Sequence, residues 1–248
     1  GFDPSVGKLS PRSSLGNVKN PSFLALSHSR RFLFAVNELL EFEDEYGGGV
    51  SSFEINANTG ELSFINSVPS KGTDPCHTIV ADRDNHVLVA NYGSGSVIVL
   101  PFNDDGTLLD PTSFFQHIGS SINPERQQGP HAHSVSLDTE NGNVFIADLG
   151  QDRVVGYKLD SASGILKKNR VPDFSGKPGS GPRHFDFHPS KRFAFLINEL
   201  DSTMTSLSYD QTLGSLNEIC TVSTLPNGFG GQNSTADIHV SPNGQFLY

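Results

Sequence analysis

His131-Ala132-His133, Arg183-His184 and Glu199 carry the groups in this chain best suited to chemistry. An imidazole takes a proton near neutral pH, a guanidinium holds an oxyanion with parallel donors, and a carboxylate orients either partner. Arg183 stands near the start of an alternating apolar run, 181–189, and Glu199 ends a second run, 193–199. Pro189-Ser190-Lys191-Arg192 between them is turn chemistry, so the two runs form a β-hairpin. Arg183 and Glu199 then emerge side by side at one end. Such a pair is either a surface ion pair or part of a site. The choice rests on whether other hairpins deliver polar groups to the same place.

They do, because the hairpin repeats. Pro21, Pro75, Pro130 and Pro182 each lead such a run, at intervals of 54, 55 and 52 residues. Asn37, Asn91, Asp148 and Asn198 close the second runs, 16, 16, 18 and 16 residues after their prolines. Third runs follow at 50–55, 96–102, 153–159 and 203–209. Each leads into a Gly-x-Leu turn, at Gly60, Gly106, Gly164 and Gly214. Four antiparallel strands repeated about every 50 residues predict an all-β fold, a β-propeller of four-stranded blades forming one domain over 1–248. Gly7-Lys8-Leu9 reads as the turn of a blade whose first half is absent. Ser241-Pro242-Asn243-Gly244 reads as the turn of a hairpin opened at 235. Four whole blades and two partial ones, part of a longer ring, are therefore expected.

In a propeller the first strand of each blade lines the channel, so residues after the prolines ring one mouth. These are Ser22, Cys76-His77, His131 and His133, Arg183-His184, and Asp237 with His239; the second strands add Glu38, Tyr92, Asp148 and Glu199. Convergent polar groups in one hollow make the default site. His131 and His133, two apart on one strand, present both rings to one side, as zinc would require. No spacing completes a ligand set, so no metal is expected. His188 and His239 read as plain strand residues, and the acidic run 41–45 as a solvated loop. No nucleophile elbow, Ser-His-Asp order or phosphate-cradling glycine loop is present.

Composition bounds the rest. The chain is 35% hydrophobic and 18% charged, with 25 glycines, 15 prolines and a net charge of -10. That charge disfavours nucleic acid and anionic membrane as partners, and an anionic substrate needs a local cationic cluster. No run approaches a membrane helix. Cys76 and Cys220 are the only cysteines, so the simplest setting is reducing and cytoplasmic. Asn233-Ser234-Thr235 is a glycosylation tripeptide of the kind that arises by chance.

Several motifs in order resemble the seven-bladed β-propeller lactonases, a family holding bacterial-type 6-phosphogluconolactonases and the fungal carboxy-cis,cis-muconate cyclase. They include Asp74-Pro75-Cys76-His77, Ala90-Asn91-Tyr92-Gly93-Ser94-Gly95 and Pro124-Glu125-Arg126-Gln127-Gln128-Gly129-Pro130-His131-Ala132-His133. Gly181-Pro182-Arg183-His184, Asn198-Glu199-Leu200 and Ala236-Asp237-Ile238-His239-Val240 complete the set. The resemblance implies a seven-bladed monomeric ring without cofactor, and a site of one histidine, two arginines and a glutamate. Carried over, these are His131 or His133, Arg183 and Glu199, the second arginine following the strand in which Tyr248 lies. His77, Arg126, His184 and Asp237 are expected to bind the substrate, an anionic sugar-acid lactone. Lactone formation, as in the cyclase, and a non-catalytic binding platform are the alternatives. The polar mouth argues against the platform.

Overall fold

Antiparallel sheets follow one another along the chain in the computed structural model, which describes residues 1–11, 13–81 and 85–248. Ahead of the blades, β1 (Phe2–Asp3) pairs with β2 (Lys8–Leu9). The first blade has β3 (Pro21–Leu26) and β4 (Phe32–Asn37), then a side hairpin of β5 (Glu41–Phe42) and β6 (Glu45–Tyr46), then β7 (Gly49–Ile55) and β8 (Leu62–Pro69). The second has β9 (Pro75–Ala81), β10 (His86–Asn91), β11 (Ser96–Pro101) and β12 (Ser113–Gln116). The third has β13 (Ala132–Asp138), β14 (Asn143–Asp148), β15 (Arg153–Asp160) and β16 (Ile165–Lys168), with β17 (Phe174–Ser175) also on β15. The fourth has β18 (Pro182–Phe187), β19 (Phe193–Asn198), β20 (Thr203–Asp210) and β21 (Ser215–Ser223). Beyond it, Val240 and Leu247 bridge across the Gly244 turn.

The blades pack face to face, and the alternation of side chains decides which neighbour each residue meets. In β10, Val87 and Val89 join Phe34, Val36 and Val50 of the first blade, while Leu88 and Ala90 join Val144 and Ile146 of the third. In β14 the same division sends Val144 and Ile146 one way, and Phe145 and Ala147 toward Phe185 and Leu196 of the fourth blade. A middle strand in such a stack is apolar on both faces, so it reads as a continuous run. The first strands meet along one line, β3 on β9, β9 on β13 and β13 on β18, which places them around the axis.

The acidic run is solvated as expected, with Glu41, Glu43, Asp44 and Glu45 all exposed, but it is not an irregular loop. It folds as the β5–β6 hairpin, with Glu43 and Asp44 in the left-handed turn conformation (φ 53° and 65°) and Phe42 buried. Phe42 packs so closely on Gly49 that a Cβ there would lie 2.6 Å from the ring, which is why glycine opens β7.

Because Ile146 is fully buried between two blades, Ile146→Ala should cost about 3 kcal/mol of unfolding free energy. Ile165→Ala, at a position 43% exposed, should cost under about 1 kcal/mol. Urea unfolding of both variants checks the contrast.

Candidate active site

Each first strand begins with the same irregularity. Register shifts between Pro21 and Phe23, between Ala132 and Ser134, and between Pro182 and His184; opposite Ala90 and Asn91 it skips from His77 to Pro75. The skipped residues are Ser22, Cys76, His133 and Arg183. Each is the extra residue of a β-bulge, which frees it from the pleat and re-aims its side chain. All four line one cavity of about 480 Å³, together with Glu38, Tyr92 and Arg126.

This register corrects the third blade. Ala132, not Pro130, pairs with the strand end Asp148 as Pro21 and Pro182 pair with Asn37 and Asn198. The two histidines therefore do not act as one same-sided pair. His133 is the bulge residue and reaches the cavity. His131 precedes the strand, stacks on Tyr92 with ring centroids 4.6 Å apart, and places Nδ1 3.0 Å from the Tyr92 carbonyl. Asp148 is also displaced from the mouth. It is fully buried, pairs with His117 at 2.6 Å and accepts the His131 N–H. Leu149 takes the place that Glu38, Tyr92 and Glu199 hold in the other blades: each of the four donates its N–H to the residue just before the first strand.

Glu199 is the centre of the site. Its Oε1 accepts from Arg126 Nη2 at 2.6 Å and its Oε2 from Arg183 Nε at 3.0 Å. Arg183 also donates through Nη1 to the Ala236 carbonyl, and Arg126 Nη2 to the Tyr92 hydroxyl at 3.2 Å. The expected pairing of Arg183 with Glu199 is present, with Arg126 as a second cation on the same carboxylate. His133 Nε2 stands 3.7 Å from Glu199 Oε2, too far for a direct hydrogen bond but close enough that one water lying beside the pair can bond both. Burial, with Arg183, His184 and Arg126 facing it, pushes the His133 imidazole down to about 3, so it is uncharged near neutrality. Its Nδ1 lies 3.7 Å from Cys76 Sγ, and that sulfur lies 3.2 Å from the His133 carbonyl. Burial and the Glu38 charge raise the Cys76 thiol, so it stays protonated and acts as a donor, not a nucleophile.

The next residue in each first strand forms a second layer down the channel. His77 stacks on Phe23 (4.1 Å between centroids), meets His184 edge to face (5.1 Å) and accepts the Val135 N–H. His77 thus bridges blades on the wall of a deeper cavity of about 580 Å³ instead of lining the mouth. His184 lines both cavities and lies 2.6 Å from Asp237. Burial outweighs the carboxylate and lowers the His184 pKa, while the bond to His184 holds Asp237 below its usual range. A neutral imidazole donating Nδ1–H to an ionised Asp237 satisfies both. His239 is an exposed partner of the same carboxylate at 2.9 Å, and His188 bonds Ser190 and the Gly244 carbonyl; neither lies within a strand, His188 following the end of β18.

One positioning residue was not legible in the sequence. The buried Asp152 accepts from Gly179 N and Gly181 N, both at 2.7 Å, and from Ser121 Oγ at 2.5 Å. It ties the lead-in to Arg183 to the loop bearing Arg126. Gly181 there has φ 68°, and a Cβ would lie 2.5 Å from Leu200. Among several aspartates in turns, nothing local marks Asp152 out.

Residues 1–248 match a family described as Lactonase, 7-bladed beta-propeller. The 6-phosphogluconolactonase of Bacillus subtilis strain 168 is 35% identical over 247 residues, covering all of this chain and 68% of that protein. That of Formosa agariphila is 30% identical over 248 residues, covering all of this chain and 69% of that protein. Among solved structures, the periplasmic gluconolactonase of Pseudomonas aeruginosa superposes with a TM-score of 0.91 at 30% identity, over 99% of this chain and 69% of that one. The repeated four-strand blades, the bulge residues on one rim and these matches along the whole length have one explanation. The chain belongs to the seven-bladed β-propeller lactonase family of lactone hydrolases.

Proposed function

We propose that the chain hydrolyses the internal ester of a phosphorylated sugar acid, 6-phosphogluconolactone to 6-phosphogluconate, at the mouth cavity. One observation carries the reading: an uncharged histidine and a carboxylate stand 3.7 Å apart, where one water can bond both, between two guanidinium groups. Lactone opening needs an activated water and a stabilised oxyanion, and both are provided for there.

A water donating one hydrogen to Glu199 Oε2 and the other to His133 Nε2 is held for attack on the lactone carbonyl carbon. As the C–O bond forms, His133 Nε2 takes the proton and the carbonyl oxygen becomes an oxyanion facing Arg183. Collapse breaks the ring C–O bond, and His133 returns the proton to the departing alkoxide. Glu199, held through Oε2 by Arg183, orients the water. Cys76 supports the tautomer: Nδ1–H directed at its sulfur leaves the Nε2 lone pair free. His184 and Asp237 close the cavity floor.

A water attacking under histidine and arginine control needs no metal, and the two histidines of the 131–133 segment are separately engaged, His131 with Tyr92 and His133 with Cys76 and Glu199. Free Cys76 and Cys220 suit a reducing, cytoplasmic setting. No helix among the described residues is long and apolar enough to cross a membrane.

Assays of the full-length enzyme with 6-phosphoglucono-lactone, glucono-lactone and carboxymuconate test the reaction class. Turnover of carboxymuconate alone would replace the hydrolase by a cyclase. Arg183→Ala should lower kcat at least about 100-fold, as loss of an oxyanion donor does, while shifting Tm by only a few degrees, roughly 1 kcal/mol for a part-exposed ion pair. Equal loss of fold and activity would make Arg183 structural. Dialysis against a strong chelator should leave the rate unchanged, and a loss restored by zinc or calcium would overturn the metal-free mechanism.

The pH profile follows from the burial of His133. A base must be uncharged, and protonation removes His133 only as pH approaches about 3. The free-enzyme profile, kcat/KM, should therefore show no acid limb near 6.5, the ordinary histidine value. A limb at that value would assign the base to another residue.

A further inference from the structure

The two arginines on Glu199 are not held alike. Arg183 is committed at both ends of its guanidinium, Nε to Glu199 and Nη1 to the Ala236 carbonyl, and its side chain is 23% exposed. Arg126 makes its bonds to Glu199 and to Tyr92 through the single nitrogen Nη2, and its side chain is 42% exposed. The backbone beneath Arg126 is rigid. Asn123 Oδ1 accepts the N–H groups of Glu125 and Arg126, and the fully buried Gln127 spans from Asn123 N to the Leu149 carbonyl. A stiff loop thus presents a long, half-exposed cation at the lip of the cavity.

A part-exposed ion pair made through one nitrogen is weak, whereas a guanidinium grips a phosphate through two parallel donors. A phosphate dianion entering the mouth is therefore a better partner for Arg126 than Glu199 is. Its arrival has two effects on the groups that handle the water. Glu199 Oε1 loses its cation, which makes the carboxylate a stronger acceptor. The positive charge of Arg126 facing His133 is neutralised, which makes the imidazole a better base.

We propose that Arg126 is an anion-operated latch, drawn off Glu199 by the phosphate of the substrate so that the freed carboxylate sets the attacking water against His133. The latch rests on the lactonase reading above and extends it: one residue both selects the phosphorylated lactone and switches on the water-activating pair. Arg183 keeps its place on Glu199 Oε2 and serves the oxyanion. In the resting site Glu199 is saturated by two cations, so a lactone without the anion meets a damped catalyst.

The test uses the full-length enzyme, wild type, Arg126→Gln and Arg126→Lys, with 6-phosphoglucono-lactone and glucono-lactone. Arg126→Gln should lose about 10- to 100-fold in kcat/KM for the phosphorylated lactone, the worth of one charge-assisted bond. Its kcat for the uncharged lactone should rise, because the latch is gone. Arg126→Lys should recover part of the phosphorylated-lactone rate and keep the uncharged lactone slow. Inorganic phosphate, added with the uncharged lactone, should raise kcat of the wild type and leave Arg126→Gln unmoved. Equal losses on both lactones in Arg126→Gln, or inhibition alone by phosphate, would overturn the latch. Calorimetry of inorganic phosphate binding separates the two readings. Absence of turnover on either lactone would sink the lactonase reading, and phosphate affinity equal in wild type and Arg126→Gln would sink the latch whatever the turnover.

Discussion

One extra residue at the head of each first strand is the constraint on which the site depends. A regular strand sends alternate side chains to its two faces, and here those faces are the neighbouring blades. A residue in register would be buried between sheets, as Val87 and Leu88 are. The bulge breaks the alternation and turns Ser22, Cys76, His133 and Arg183 toward the axis. The fold supplies the place once per blade. The residue types in the four places then decide the chemistry, and only the third and fourth blades fill them with groups that handle protons and anions.

Charge balance sets the state of those groups. Glu199 has a guanidinium on each oxygen. Burial, and then those cations, lower the basicity of His133. The resting site therefore combines a charged orienting group with an uncharged imidazole. The whole chain carries -10, and Glu38 and Asp237 share the cavity with Arg126 and Arg183, which Glu199 pairs from behind. An anion is drawn there by directed donors at short range, because the field of the molecule opposes it.

Most of the architecture was legible because each blade writes its hairpin twice, once in spacing and once in turn residues. The strand ends Asn37, Asn91, Asp148 and Asn198 and the Arg183–Glu199 pairing all came from spacing alone. The errors gathered in the third blade, whose proline-to-end distance is 18 residues instead of 16. The surplus lies in the lead-in, where Pro130 and His131 precede the paired residues. Counting from Pro130 therefore joined His131 to His133 and put Asp148 at the mouth. A bulge leaves no mark in a period-two pattern except a slip of one residue, and the short first strands hold too few alternations to reveal it. Asp152 and the bond from Arg126 to Glu199 were hidden for another reason. They join segments 27 to 73 residues apart, and no local pattern records such a meeting.

The site is assembled from different blades, and this ties its chemistry to the stacking of the sheets. Glu199 comes from the end of β19, His133 from β13, Tyr92 from the end of β10, and Arg126 from the loop between the second and third blades. A tilt of one blade against the next would alter the 3.7 Å gap between His133 and Glu199 without breaking any sheet ladder. The packed interfaces resist that tilt: Phe145 toward the fourth blade and Ile146 toward the second are both nearly inaccessible. Close-packed cores transmit small shifts instead of absorbing them. Cross-blade bonds pin the rim as well, with Ser136 Oγ on the Phe185 carbonyl at 2.7 Å and Asp152 holding both arginine-bearing loops. The precision of the 3.7 Å spacing between His133 and Glu199 is thus a property of the blade interfaces, and the residues that set it include many that never touch the lactone.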